Sequence, residues 1–454
     1  MYKNRISGHE KAVLVVYLIL FAAVALTVAL MQATVIDPPL FTSPPDETAR
    51  YLVPRYIFEH GSLPTGLEAE SRHEVYGEFS YAYLPGLSYI VMGWVMRLFN
   101  SGISPDAYIN FVTARCVNVV FGLITAVFIW LLGRRIFNKE RYVWLFAFAV
   151  MFLPQHLFIH TYVNTESLCM LSIAVIYHSL MRMLQEKPDI KSLIEFAVGA
   201  SILTLSYYNA YGVLLASVPI FISLYVNKDD DGKLRVDYKQ MFAQGGIIIL
   251  IWCVLSLWWF IRQGILFDGD FLGMKIRNST LDAVGQNILR DKGYTFIGMI
   301  REFKPFSSAF VNFVATYGSC SILGNILIYR LYKAVYIIGV ILVIAAVIYM
   351  CVKHKKIAYT VYFHAMLLIG DLITVGLWLY YCYCRDYQPQ GRYVFPALFH
   401  IYWLLIKGYE FGIEKIPGKE RNKTIICGCG CIFVCMLLLW YVCGYAVPAY
   451  KAGA

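Results

Sequence analysis

Apolar residues along this chain gather in long unbroken runs rather than in the alternating or half-faced patterns of a soluble protein. The runs fall at about 12–36, 83–99, 109–132, 142–160, 165–184, 192–208, 210–226, 243–262, 332–352, 357–383, 393–408 and 424–447. A helix of about 20 apolar residues crosses the roughly 30 Å of hydrocarbon in a bilayer, and a helix satisfies its own backbone there. Each run therefore predicts a helix. One stands apart: 83–99, "YLPGLSYIVMGWVMRLF", is short and opens on Pro85-Gly86. Counted as a span, it puts "GRRIFNKER" on the side opposite Lys3, Arg5 and Lys11. Laid along the interface, it lets the basic loops 133–141, 185–191, 227–239, 353–356 and 409–423 share one side. The positive-inside rule thus predicts eleven spans plus one interfacial segment, with a cytoplasmic N-terminus. Two loops of about 70 residues, 37–107 and 263–331, then lie outside with the turns 154–164 and 384–392.

Composition agrees with this pattern. Of 454 residues, 59% are hydrophobic and 15% charged, more apolar than a soluble core requires. The whole chain, 1–454, reads as one integral membrane domain. It has a first span at 12–36, a first outer loop with interfacial helices at 37–107, central spans at 109–262, a second long outer loop at 263–331 and C-terminal spans at 332–447. The first run lacks a small-residue cleavage site and is expected to stay as an anchor. The net charge of +10 sits in short loops, where it reports orientation rather than nucleic-acid binding. Six of the twelve cysteines (Cys116, Cys169, Cys253, Cys351, Cys435 and Cys443) lie in apolar runs, where Cys packs as a small hydrophobe. "CGCGC", 427–431, has the wrong spacing for a C-x-x-C metal site and suits close helix contact. Cys382 and Cys384 are candidates to meet Cys320.

The polar residues that matter stand in the outer loops. "TSPPDETARYLVPRYIFEHGSLP", 42–64, places Asp46 and Glu47 just beyond the first span. A carboxylate there can act as general base toward a hydroxyl or amine when the leaving group is already a stable anion, as in lipid-linked phosphosugars. Arg392, in "DYQPQGRYVFP", opens a helix on the same face and suits a phosphate. The competing reading is that Asp46 caps a helix beginning near Thr48, and the residues alone leave both open. His73, Glu74 and Glu78 have a spacing for a divalent cation, with a solvated loop face as the simpler account. Asp371 lies mid-span, where an ionisable group needs a partner or a cavity. His156 and His160 have helical spacing near the second outer turn. Tyr76, Tyr81 and Tyr83 are candidates to stack on sugar faces.

Taken in order, several stretches resemble a known family. "SPPDETARYLVPRYIFEHGSLP" with "YAYLPGLSYIVMGWVMRLF", "IHTYVNTESLCML", "WWFIRQGILFDGDFLG" and "QPQGRYVFPAL" are similar to elements of the C-type membrane glycosyltransferases. That group includes protein O-mannosyltransferases and the lipid A aminoarabinose transferase, and the P-D-E and Q-G-R-Y elements resemble a bacterial branch of it. The ordered set covers residues 12 to about 408. The resemblance implies an all-α polytopic membrane fold with an interfacial helix and two long extracytoplasmic loops. It implies Asp46 as catalytic base with Glu47 supporting, and Glu166 with Asn164 beside it positioning donor or acceptor. Gln390, Arg392 and Tyr393 would lie near the donor phosphate, with Arg262 and Asp270 bordering the outer cavity. It further implies a polyprenyl-phosphate sugar donor and an extracytoplasmic acceptor that is a cell-envelope glycan, a glycolipid or a protein. Transfer would invert the anomeric centre, without a cofactor, although a divalent cation stays open. The expected location is a bacterial plasma membrane with the active site outside. Two departures stand out: Glu166 replaces the usual Asp, and Ala49-Arg50 follow P-D-E where a His or apolar residue is common. The alternative is a transporter or flippase of lipid-linked saccharide with Asp371 in its path. Neither repeated halves nor broken helices are visible in the sequence to support it.

Overall fold

The computed structural model describes residues 6–32, 43–228, 233–285, 288–353 and 358–452. The end of the first predicted span (33–36), the start of the first outer loop (37–42), the tip of loop 227–239 (229–232) and residues 354–356 of loop 353–356 lie outside the described residues.

The apolar runs become helices. In order, α1 is Gly8–Met31, α2 Glu47–His60, α3 Leu87–Phe99, α4 Tyr108–Ile136, α5 Glu140–Met151, α6 Pro154–Ile159, α7 Glu166–Glu186, α8 Ile190–Thr204 and α9 Tyr211–Ser223. Then α10 runs over Tyr238–Leu266 through a π turn, followed by α11 Met274–Val284, α12 Pro305–Val314, α13 Ile326–Val352, α14 Ala358–Cys384 and α15 Leu398–Lys415. The last, α16, runs over Glu420–Ala452. Two small hairpins, Val226–Lys228 with Leu234–Val236 and Thr316–Tyr317 with Ile322–Leu323, are the strands among the described residues.

Seven of these helices are long and apolar enough to cross a membrane: α1, α4, α7, α10, α13, α14 over Val361–Cys384, and α16. The other four predicted spans, at 142–160, 192–208, 210–226 and 393–408, form shorter helices. Run 142–160 is split between α5 and α6, because Pro154 supplies no N–H and starts a new helix. The segment at 83–99 yields α3, whose 13 residues fall short of a span.

Three of the basic loops, 133–141, 185–191 and 409–423, gather at the end of the bundle where α1 begins. Arg134 meets Glu10 at 3.0 Å, Arg135 meets Glu186 at 2.9 Å, and Lys139 and Arg141 reach Glu414 at 2.8 and 2.5 Å. The first long loop builds its own small core at the other end. There Tyr51 stacks on Phe111 at 3.7 Å, and Ile57, Met92 and Met96 are fully buried; each such side chain contributes roughly 1.5–3 kcal/mol. α2 and α3 touch so closely that a Cβ at Gly93 would fall 2.6 Å from Ile57 Cβ.

The central helix is α7, with 83% of its apolar window buried. All twelve cysteines are free, which corrects the expected meeting of Cys320 with Cys382 or Cys384. Cys320 Sγ instead accepts from Asn312 Nδ2 at 3.3 Å, and Cys382 Sγ donates to the Gln388 carbonyl at 3.3 Å. In "CGCGC", Cys427 is buried and Gly430 approaches Leu145, whereas Cys429 is exposed. That stretch makes helix contact on one face only.

Candidate active site

The site is assembled at the junction of α2, α7 and the turn before α15. Ser43-Pro44-Pro45 lead into Asp46, which adopts the left-handed conformation (φ 56°, ψ 12°). That conformation costs an L-residue roughly 1–2 kcal/mol, and Asp is among the few residues that tolerate it. Asp46 stands at the N-cap of α2, yet its side chain makes no cap hydrogen bond. The capping reading therefore fails. Its Oδ1 accepts from the Tyr76 hydroxyl at 2.9 Å, and its Oδ2 lies 3.7 Å from Arg50 Nη2 and 3.8 Å from Arg392 Nη2.

Glu166 opens α7 and is buried. It accepts from Arg50 Nη1 at 2.7 Å and lies 3.6 Å from Arg392 Nη1. Arg392, 1% exposed, sits in the 3-10 turn Gly391–Ala397. It donates to Gln390 Oε1 at 2.7 Å and to the Tyr162 hydroxyl at 2.8 Å, and its plane lies over the Tyr393 ring at 5.2 Å. Asp46, Arg50, Glu166 and Arg392 thus form a ring in which each carboxylate faces both guanidinium groups. Their formal charges cancel. Burial opposes the charge on Arg50, but Glu166 and the surrounding tyrosines outweigh it and hold the guanidinium protonated. Burial and then Asp46 push the Tyr76 and Tyr81 hydroxyls above the usual tyrosine range, so both stay neutral donors at pH 7.

Asp46 and Arg50 face a cavity of about 770 Å³ that is also lined by Tyr76, Tyr81, Tyr89, Tyr207, Tyr208, Arg277, Trp378, Tyr381, Arg385 and Tyr393. Its volume lies within the usual range for small-molecule sites. Only one of the adjacent acids turns to it. Glu47 is 2% exposed and takes Arg115 Nε at 2.9 Å, Arg115 Nη2 at 2.5 Å and the Val163 N–H at 2.8 Å. Arg115 also donates to the Ala29 and Gln32 carbonyls at 3.0 and 3.1 Å, where α1 ends. Glu47 is a clamp joining α1, α2, α4 and the 160s turn, which corrects the expectation that it orients an acceptor or holds a cation.

Other expected contacts are likewise spent on the scaffold. Asn164 Oδ1 accepts from the Ser167 N–H at 2.9 Å, and its Nδ2 donates to the Ile159 and Tyr162 carbonyls. Tyr83 is fully buried and donates to the Gly66 carbonyl at 3.0 Å. Arg262 donates to the Pro64 carbonyl at 2.8 Å and lies over Trp259. Asp270 accepts the N–H groups of Met274, Lys275 and Ile276 at 3.1, 2.7 and 3.0 Å, closing the start of α11. Gln390 holds Arg392. None of these five lines the cavity, so their assignment to substrate is corrected. Tyr81 and Tyr393 do line it; Arg392 and Glu166 stand just behind its wall.

His73, Glu74 and Glu78 do not converge. Among the described residues, the three-ligand group is Glu59, His60 and Glu70, all exposed. His156 and His160 are fully buried, their Nδ1 atoms bonded to the Val150 carbonyl and Ser167 Oγ. Asp371 pairs with His400, which meets His364 at 3.1 Å. Sequence reasoning missed Arg50, although its i+4 spacing from Asp46 signals a pair, and it missed Arg277 and Arg385, which carry no motif.

No family model and no curated protein matches the sequence. Solved structures do match. An Archaeoglobus fulgidus oligosaccharyltransferase tethered with an acceptor peptide is 11% identical with a TM-score of 0.55, covering 95% of this chain and 55% of its own. The A. fulgidus oligosaccharyltransferase AglB in complex with an inhibitory peptide and a dolichol-phosphate is 12% identical with a TM-score of 0.51, covering 95% and 56%. ArnT from Cupriavidus metallidurans bound to undecaprenyl phosphate is 13% identical with a TM-score of 0.46, covering 93% and 64%. The fold is shared with the archaeal oligosaccharyltransferase structures. The chain spans little more than half the length of the archaeal structures.

Proposed function

We propose that the chain is a membrane glycosyltransferase that moves a sugar from a polyprenyl-phosphate donor to an extracytoplasmic acceptor, with Asp46 as general base. One observation carries the reading: the Asp46 carboxylate is released from helix capping, held in a left-handed turn and aimed at a tyrosine-lined cavity between two guanidinium groups. The archaeal structures that share the fold hold an acceptor peptide or a dolichol-phosphate, which supports a lipid donor and an outer acceptor here.

In this mechanism an acceptor hydroxyl or amine gives its proton to Asp46 as it attacks the anomeric carbon. The carbon–oxygen bond to phosphate breaks on the opposite face, the lipid monophosphate departs with the bonding pair, and the centre inverts. Tyr76 fixes the carboxylate through its 2.9 Å hydrogen bond. Glu166 acts through Arg50 and Arg392 as a positioning residue. The acceptor is an envelope glycan, a glycolipid or a protein, in a bacterial plasma membrane with the basic-loop end inside. A flippase reading would rest on Asp371, whose carboxylate is engaged by His400.

Cation requirement follows from the charge ring. Arg50 and Arg392 occupy the space between Asp46 and Glu166 where a divalent ion would bridge the two acids. Chelation is therefore expected to leave the transfer rate within about twofold of its starting value. A loss restored only by added divalent cation would contradict this. Orientation is tested by membrane-impermeant thiol labelling of Val75→Cys and Asn138→Cys, both exposed positions, in a background lacking the exposed Cys351, Cys429 and Cys443. Position 75 is expected to react in intact cells and position 138 only after permeabilisation; the reverse pattern overturns the outer placement of Asp46.

A further inference from the structure

The guanidinium groups at the cavity fall into two sets. Arg50 and Arg392 are offset by Asp46 and Glu166. Arg277, on α11, is not. It donates to Asn278 Oδ1 at 3.1 Å and reaches the Tyr381 hydroxyl at 3.4 Å, and its plane lies 5.5 Å over the Tyr381 ring. No carboxylate among the described residues lies within ion-pair distance of it. Arg385, one helical turn beyond Tyr381, lines the same cavity. Its partner Asp282 is 51% exposed and 3.8 Å away, a weakly coupled surface pair. The acid beside it, Asp386, accepts from Gln388 Nε2 at 2.6 Å.

We propose that Arg277, with Arg385 lining the same cavity, holds the phosphate of the lipid-borne donor, in place of the buried Arg392. This rests on the reading above that the cavity receives a lipid-linked phosphosugar. A planar guanidinium free of carboxylates makes paired hydrogen bonds to phosphate oxygens. The surroundings suit a headgroup with an apolar tail: Leu377 and Tyr380, on α14, line the cavity and are 39% and 55% exposed on the outside of the helix bundle. A chain of contacts leads from there to the base. Arg277 lies over Tyr381, Tyr381 lies 6.3 Å from Tyr393, and Tyr393 lies under Arg392, which is 3.8 Å from Asp46 Oδ2. Two tyrosine rings thus stand between phosphate seat and carboxylate, where a sugar ring can stack.

The test is equilibrium binding to the full-length protein in lipid nanodiscs, using a polyprenyl monophosphate, the matching polyprenol and inorganic phosphate as separate probes. Wild type is expected to bind the monophosphate at least tenfold more tightly than the alcohol, with inorganic phosphate competing only weakly. Arg277→Gln is expected to erase that preference while leaving polyprenol affinity unchanged. Arg385→Gln is expected to reduce it severalfold, and Arg392→Gln to reduce it less than Arg277→Gln does. Arg277→Lys keeps the charge and guards against a glutamine variant that fails to fold; it is expected to retain part of the preference. A wild type that prefers the phosphate, with Arg277→Gln preferring it equally, overturns the seat alone. A wild type with no preference overturns the donor reading as well. Inorganic phosphate binding as tightly as the lipid would place a free anion, not a donor headgroup, at Arg277.

Discussion

Replacing Asp46 with Asn is expected to slow sugar transfer by roughly 10²–10⁴-fold, the range attributed to a positioned general base. The substitution is nearly isosteric. Asn retains an oxygen for the Tyr76 hydroxyl, so the 2.9 Å hydrogen bond and the turn are expected to survive. What it loses is the negative charge and the basic lone pair. The ring of four charges then becomes net positive, since Arg50 and Arg392 keep only Glu166, and a phosphate-bearing donor is expected to bind at least as well as before. The measurement is single-turnover transfer alongside donor affinity and thermal unfolding. Lost turnover with intact donor binding supports a base. A variant that merely unfolds earlier, with wild-type turnover per folded molecule, assigns Asp46 a structural role.

The neighbouring residue is expected to behave in the opposite manner. Glu47→Gln breaks a buried ion pair, both members of which are at most 2% exposed, and leaves Arg115 charged in the interior. Such a change costs about 3–5 kcal/mol. The folded population is expected to fall, with a clearly lowered unfolding temperature, while the fraction that folds keeps its substrate affinity because Glu47 does not line the cavity. Glu47→Met combined with Arg115→Met removes both charges and is expected to recover part of the stability, the Val163 N–H and the Ala29 and Gln32 carbonyls losing these side-chain partners. A Glu47 variant of unchanged stability but abolished turnover would return this carboxylate to the chemistry.

That contrast between two adjacent acids marks the boundary of what the sequence conveys. Seven of the eleven expected spans were legible as long apolar helices, because lipid demands long apolar runs, and α3 stood out as too short for the same reason. The outer position proposed for the P-D-E turn rests on where Lys and Arg cluster along the chain. The direction of each side chain did not follow. A left-handed residue at Asp46 sends one carboxylate to the cavity and its neighbour into the protein, and nothing in the letters D-E distinguishes them. Asn164, Tyr83, Arg262 and Asp270 misled in a similar way. Polar residues at loop ends satisfy backbone groups as readily as substrates, and here each is engaged by backbone atoms. Arg277 carried no motif because it meets the site through the tertiary approach of α11 and α14, which local spacing does not encode.

The most direct test of the central claim is mass spectrometry of lipid-linked sugars and envelope glycans in cells whose sole copy of the gene carries Asp46→Asn. A polyprenyl monophosphate-linked sugar is predicted to accumulate, and one envelope product is predicted to lose that same sugar. Envelope glycans and lipid pools identical to those of cells carrying the unaltered gene would contradict the account.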